Sequence, residues 1–315
     1  LIFTSNIVGY KCLKYLLKNF KKDKFDIFIT NYDSKFDFYS LIFTNYNANF
    51  ISASKLNSLI KNKVKYDWIL NLWGSKILNK NILSLAKDSL NIHPSYLPYG
   101  KGRDPTIWTL KYNYPAGVTL HKISEKIDEG DIIYQTKIKY SHPIKGVILY
   151  KKLIKTSASF FIEKWKLCRL RKFTYKKQFK NNIPTNVRRD LFDDELVHFK
   201  DTLTLKNFLS LQKSNNFINL DKNLDLKKII LKILRHDFND DYYSKIVIGK
   251  KFFKPTILLH KKINNLKNKN VSKVIFNSNQ YFITLNLDEI KEYSKPDKVN
   301  YTYIHIGGHK TASTL

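Results

Sequence analysis

No stretch of this sequence approaches the roughly 20 consecutive apolar residues needed to cross a bilayer, and the first residues lack the apolar core of a secretory signal. No membrane insertion is therefore expected. Only Cys12 and Cys168 are cysteines among 315 residues, which excludes a disulfide scaffold or a zinc site built from cysteine. That usage fits a reducing cytoplasm, and a cytoplasmic location is expected. Methionine is absent, initiator included, so the native start is expected upstream, with residue 1 already inside the first strand. Acidic residues are scarce: 26 Asp and Glu stand against 56 Lys and Arg, a net charge of +30.

An apolar fraction of 43% with 14% aromatics excludes a disordered chain. The length accommodates about two domains of roughly 150 residues. Clusters such as Lys21-Lys22-Asp23-Lys24 and Arg169-Leu170-Arg171-Lys172 could attract the phosphates of a nucleotide or nucleic acid. Lys, however, is enriched together with Asn, Ile, Tyr and Phe along the whole chain, as an AT-rich genome would produce without any partner. The charge reads as solvated surface lysine, and nucleic acid is not the expected ligand.

Strand-like runs at residues 1–4, 26–30, 68–72 and 90–93 alternate with helical spacing at 9–17, 54–62 and 80–87. Short apolar strands without strict alternation predict a mostly parallel sheet covered on both faces. A short helix is expected over 106–111, with Pro105 at its start. Two strands follow at 117–123 and 132–139 around a polar loop at 124–131, then a long amphipathic helix over 149–170. Beyond a linker at 181–186 the pattern changes. Helices are expected over 203–211 and 226–234, a hairpin over 243–260 around Gly249, a second linker at 264–270, and strand-like runs within 273–286.

Chemistry concentrates in residues 90–135. Asn91 and His93 lie two apart at the end of a short strand, so alternation points both side chains to one face. In an open α/β sheet the carboxyl ends of the strands line the crevice where ligands bind. Pro94 ends the strand, and Pro98, Gly100 and Gly102 shape the loop that follows. An amide beside an imidazole supplies a donor for an oxyanion and a base near neutral pH. Asp128, 35 positions after His93, sits in a loop that could fold back and orient or charge-stabilise the imidazole.

The stretch Asn91-Ile92-His93-Pro94-Ser95-x-Leu97-Pro98-x-x-Lys101-Gly102, followed by Gly117-Val118-Thr119-x-His121-x-Ile123-x-x-x-Ile127-Asp128-x-Gly130-x-Ile132, resembles the formyltransferases that use 10-formyltetrahydrofolate. The resemblance implies a Rossmann-like α/β formyltransferase core with a mostly parallel sheet, plus a small α+β C-terminal module. It implies Asn91, His93 and Asp128 as the catalytic trio, acting by direct transfer without a metal. In that reading Asn91 and a protonated His93 stabilise the tetrahedral oxyanion, while Asp128 keeps the imidazole charged and moves the amine's proton.

The folate co-substrate is placed by the same resemblance against Ser75, Lys76, Ile77 and Leu78, in the loop that opens at Trp73, and against Ser124, Glu125, Lys126 and Ile127. An aromatic at Trp73 is equally what core packing would supply. His121, on a strand among apolar neighbours, reads as a structural, hydrogen-bonded histidine rather than a second base. Asp104-Pro105-x-x-Trp108, followed by Pro115-Ala116-Gly117-Val118-Thr119, is similar to the members that act on nucleotide-linked amino sugars. Trp165 and Gln178 match a W…Q pattern of that group. Ser95, Lys101, Gly102, Arg103 and Trp108 are the implied substrate contacts. Lys101 and Arg103 either meet a diphosphate or lie in solvent, and the sequence does not choose.

Residues 229–238 resemble the start of the group's small C-terminal module, from which His236-Asp237 departs. The tail from Tyr303 to Thr314 resembles the first strand and phosphate loop of a sulfotransferase-like domain. The expected organisation is a catalytic domain over 1–180, a small module over 195–263, a linker with short strands over 264–300 and a truncated second enzyme over 301–315. The function implied is formyl transfer to a nucleotide-activated amino sugar for surface-glycan (lipopolysaccharide) biosynthesis. Methionyl-tRNA formyl transfer, or a non-catalytic basic nucleic-acid-binding protein, are the rivals. A homodimer and a fused sulfotransferase-like domain are the macromolecular partners entertained.

Overall fold

The computed structural model describes residues 1–30, 46, 48–179, 183–187, 190–191, 194, 196–198, 218–219, 224–239, 242–248, 250–261, 276–277 and 281–290. The expected helix over 203–211, the linker at 264–270 and the tail after residue 300 lie outside the described residues.

The described chain divides into two compact units, one formed by residues 1–141 and 148–187, the other by 142–147 with the described residues between 190 and 290. In the first, strands β1 (Ile2–Thr4), β2 (Asp26–Ile29), β3 (Asn49–Phe50), β4 (Tyr66–Leu72), β5 (Ala86–His93), β6 (Ala116–His121) and β7 (Ile132–Ile138) form one sheet in the order β3-β2-β1-β4-β5-β6-β7. The first five run parallel, β6 runs antiparallel to β5, and β7, antiparallel to β6, returns to the direction of the first five. The strand order reverses between β1 and β4, the kind of switch point whose carboxyl-end crevice takes ligands.

Helix α1 (Asn6–Asn19) buries Val8, Cys12, Leu13 and Leu16, an i, i+4 stripe against the sheet. Helix α2 (Ala53–Lys61) starts at Ser52, whose hydroxyl accepts from the Lys55 N–H at 3.2 Å. Helix α3 is only Lys80–Leu83, shorter than the expected 80–87, because strand β5 begins at Ala86. Pairing of Tyr66 with Ala86 and of Trp68 with Asp88 recruits four residues that helical spacing alone assigned to the helix or the turn after it. Helix α4 (Pro105–Tyr112) follows the catalytic strand and helix α5 (Gly146–Arg169) covers the sheet. Both cysteines are free and buried, the Cys168 thiol pushed up to about 12 by burial. Among the described residues no helix is long and apolar enough to cross a membrane.

The segment 183–187 is not the free linker expected from its composition. Asn186 is buried and pairs with the loop at Gly102.

In the second unit a sheet runs β8-β10-β11-β13-β12-β9, from β8 (Leu196–His198), β9 (Ile218–Asn219), β10 (Lys245–Ile248), β11 (Lys251–Lys261), β12 (Phe276–Asn277) and β13 (Tyr281–Ile290). The expected hairpin is present as β10 and β11, and β13 pairs with β11 along ten residues. Helix α6 (Leu224–Arg235) packs Leu226, Ile230, Ile233 and Leu234 onto Val197, Ile246, Ile257, Ile283 and Leu285. His236, one of the two residues that depart from the family pattern, is fully buried. Its Nδ1–H donates to the Lys232 carbonyl at 2.9 Å and its Nε2 lies 3.3 Å from Asp194.

Candidate active site

Strand β5 ends with Asn91 and His93 on one face, and β6 runs back beside it with His121 opposite Asn91 and Thr119 opposite His93. The loop 122–131 then doubles back over that face. It places Asp128, in the left-handed region at φ 54°, against both residues. One carboxylate oxygen, Oδ2, lies 3.5 Å from His93 Nδ1 and accepts the Gly102 N–H at 2.8 Å. The other, Oδ1, lies 3.4 Å from the Asn91 amide nitrogen and 3.5 Å from His121 Nε2.

Three residues separated by up to 37 positions thus meet within hydrogen-bond or ion-pair distance, joined by His121. The His121 Nδ1–H donates to the Lys122 carbonyl at 2.8 Å, which leaves Nε2 as the acceptor for the Asn91 amide N–H at 3.0 Å. His121 therefore fixes which way the carboxamide faces. Composition assigned it a merely structural part. Its position opposite Asn91 in the strand register makes it a member of the cluster.

Burial pushes His93 below the ordinary imidazole value, more than the Asp128 charge and the Gly100 carbonyl raise it. That direction favours the neutral ring near pH 7, where the resemblance implied a protonated His93. Its Nε2–H donates to the Gly100 carbonyl at 2.8 Å, so the free lone pair is on Nδ1, facing Asp128. For Asp128, burial works upward, yet the charge that His93 carries once protonated, followed by the His121 ring and the Gly102 N–H, holds the carboxyl well below the usual carboxylate range. The cluster is a neutral base beside a permanent anion. A proton delivered to His93 creates an ion pair in a dry site.

The sequence-derived binding residues divide. In the loop after β4, the Ser75 N–H donates to the Thr30 hydroxyl at 2.9 Å, Lys76 is exposed, and Ile77 is 71% exposed. Leu78 is core, packed with Leu1, Phe3 and Ile69, and Ile123 joins the same cluster, so it ties the two proposed folate loops together. In the loop after β6, the Ser124 hydroxyl closes onto the Lys126 carbonyl at 2.8 Å, Glu125 and Lys126 are exposed, and Ile127 is 45% exposed.

Three residues of the expected substrate set, Ser95, Lys101 and Trp108, are buried. The Ser95 hydroxyl is buried and donates to the Tyr99 carbonyl at 2.6 Å. Trp108 is 2% exposed in α4, stacked on Tyr112. Lys101 is 7% exposed and paired with Glu129 at 3.1 Å, so it does not lie in solvent. A strand-flanking apolar environment draws these side chains inward, and Lys101 is neutralised where it lies. Gly102 gives its N–H to Asp128. Arg103 is half-buried.

Residues 40–163 match the formyl transferase family model. Over 93 residues the chain is 41% identical to the bifunctional polymyxin resistance protein ArnA of Wigglesworthia glossinidia brevipalpis, a match covering 29% of this chain and 14% of that protein's length. An N-formyltransferase from Helicobacter canadensis, crystallised with folinic acid and dTDP-3-aminofucose, superposes with a TM-score of 0.61 at 21% identity, covering 90% of this chain and 96% of that one. A 4-N formyltransferase from Francisella tularensis superposes with a TM-score of 0.60 at 19% identity, covering 79% and 91%. At such identities the superpositions establish the fold, and the segment that holds Asn91, His93 and Asp128 lies within the residues that match the formyl transferase family model; the chain spans about a seventh of the length of the curated relative it matches.

Proposed function

We propose that the protein transfers a formyl group from 10-formyltetrahydrofolate to the amine of a nucleotide-linked amino sugar. The observation that carries this reading is the meeting of Asn91, a neutral His93 and an ionised Asp128 at the end of β5 within the formyl transferase domain. Ile77 and Ile127 suit a folate co-substrate, as apolar side chains left in water on two loops joined through Leu78 and Ile123. A flat heterocycle laid over them buries both. The amino-sugar part of the reading draws support from the ligands of the Helicobacter protein.

In this mechanism the amine lone pair attacks the formyl carbon and the carbonyl π pair moves onto oxygen. The Asn91 N–H nearer Asp128, held only at 3.4 Å, turns to the oxyanion, while the other stays on His121. His93 takes the amine proton, and Asp128 stabilises the imidazolium so formed. As the oxyanion collapses, the C–N bond to the folate breaks, and its nitrogen takes the proton held by His93, which returns to its starting form. No covalent intermediate on the protein is needed. The same reading carries a homodimer and a sulfotransferase-like continuation, which light scattering and a longer reading frame test.

The decisive assay supplies 10-formyltetrahydrofolate with a panel of dTDP-, UDP- and GDP-linked amino sugars and follows tetrahydrofolate. Turnover with at least one sugar is expected. Turnover only with charged initiator tRNA would replace the substrate, and none with any acceptor would sink the enzyme reading.

A further inference from the structure

The chain that follows α5 touches the catalytic loops at Gln178, a residue the sequence offered only as part of a W…Q pattern, and at Asn186, which no motif singled out. It is first fastened to the sheet. The Arg171 guanidinium and the Tyr175 hydroxyl both donate to Asp88, at 2.6 and 3.1 Å. Lys176 and Ile132 exchange backbone hydrogen bonds at 2.8 Å. The Gln178 side-chain amide then donates to the main-chain carbonyls of Asp128 at 2.7 Å and of Gly130 at 2.8 Å. Both bonds fall on the turn that carries Asp128 in its left-handed conformation.

The second contact is at Asn186. Its backbone N–H and side-chain amide both donate to the Lys101 carbonyl, at 3.1 and 3.2 Å, and its own carbonyl accepts the Arg103 N–H at 2.9 Å. Between those two residues lies Gly102, whose N–H holds the Asp128 carboxylate. Gly102 has a φ of +82°, and a Cβ there would stand 2.2 Å from the Asn186 carbonyl oxygen. The strap is therefore laid directly on the one residue that links the 100–103 loop to Asp128.

We infer that Gln178 and Asn186 are positioning residues for the transfer reaction: the first fixes the backbone of Asp128, the second fixes the Gly102 N–H on its carboxylate. The inference rests on the formyl-transfer reading for its kinetic consequence but not for its structural one. Asp128 has a hydrogen-bond or ion-pair partner on every side — His93, His121 and Asn91 from the strands, Gly102 from the loop, with the Lys101–Glu129 pair beside it. A turn free to drift would keep the charge yet lose its aim. A misplacement of about 1 Å at a reacting centre costs on the order of 10²-fold in rate.

The test uses Gln178→Ala, which removes two bonds to the turn, and Asn186→Pro, which lacks the N–H that grips Lys101. In formyl transfer each variant should lower kcat by about 10- to 100-fold and leave both KM values within about twofold, as expected when positioning rather than binding is lost. With 15N-glycine labelling of the full chain, which has 10 glycines, the Gly102 amide should exchange at least about tenfold faster in each variant, while amides of β1, β4 and β5 keep their protection. An unchanged kcat overturns the inference. So does a loss of kcat with faster exchange spread evenly over the sheet, the mark of general destabilisation. If the unaltered chain transfers formyl to no acceptor, the enzymatic reading fails by itself. The exchange measurement still decides the clamp, since unchanged Gly102 protection in both variants refutes it.

Discussion

At the scale of single residues the site is a balance between burial and one carboxylate. Asn91→Ala removes the donor aimed at the developing oxyanion and should reduce kcat by about 10²- to 10³-fold with little change in thermal unfolding, read by steady-state kinetics. Because His93 acts in its neutral form and burial lowers its affinity for protons, activity should hold below pH 6.5 before falling. In Asp128→Asn the one influence that raises His93 through its charge is gone, so the acid limb of the pH–kcat profile should move to still lower pH as kcat drops. An acid limb that moves upward in that variant would contradict the pairing of the two groups.

Local spacing revealed Asn91 and His93, since two residues on one strand share a face wherever the strand lies. It undervalued His121, because strand register between β5 and β6, not chain distance, puts its ring beside Asn91. Lys101 and Trp108 have residue types that suit a ligand, and only the fold shows that both side chains are buried.

At the scale of elements the loop between β6 and β7 decides whether the cluster exists. A Cβ at Gly130 would fall 1.8 Å from the Lys122 carbonyl oxygen, the same oxygen that accepts from His121 Nδ1. Gly130→Ala must therefore open the loop and release the His121 ring together. The expected loss is about 10²-fold or more in kcat, and a crystal structure of the variant should show Asp128 displaced from His93.

The strands and the long helices were readable from apolar periodicity. The end of α3 was not. Ala86 and Lys87 suit a helix, and only the ladder with β4 makes them a strand. Residues 183–187 likewise have the composition of a linker, and they lie still because the 100–103 loop offers Asn186 a carbonyl and an N–H at the right separation.

At the scale of the whole molecule two properties are testable, the first without knowledge of the acceptor. In the second unit burial lowers His236 to about 3. The unfolded chain takes up a proton near pH 6.5 that the folded unit refuses, so stability present above that pH is lost as pH falls from 6.5 toward 3. Between pH 7 and pH 4 the loss should be about 3 kcal/mol at roughly 1.4 kcal/mol per unit. His236→Gln, which cannot take up the proton, should flatten that part of the denaturant-midpoint profile.

The net charge of +30 supplies the other test. A nucleotide sugar offers only a diphosphate, so raising salt from about 50 to 200 mM should weaken kcat/KM by no more than about tenfold, far from the 10³- to 10⁵-fold loss of a protein that grips many phosphates.

The amino-acid sequence by itself determined the alternation of strands and helices in the first unit, the strand that bears Asn91 and His93, and the lineage of the segment that holds them, because periodicity and motif spacing are local properties of a chain. Only the tertiary structure decided that Asp128 reaches them, that His121 belongs with them, that His93 rests uncharged, and that Lys101, Ser95 and Trp108 face inward. Those outcomes depend on which surfaces pack and which loops cross. Burial and register, the quantities that set them, come from the fold as a whole and from no single stretch of residues.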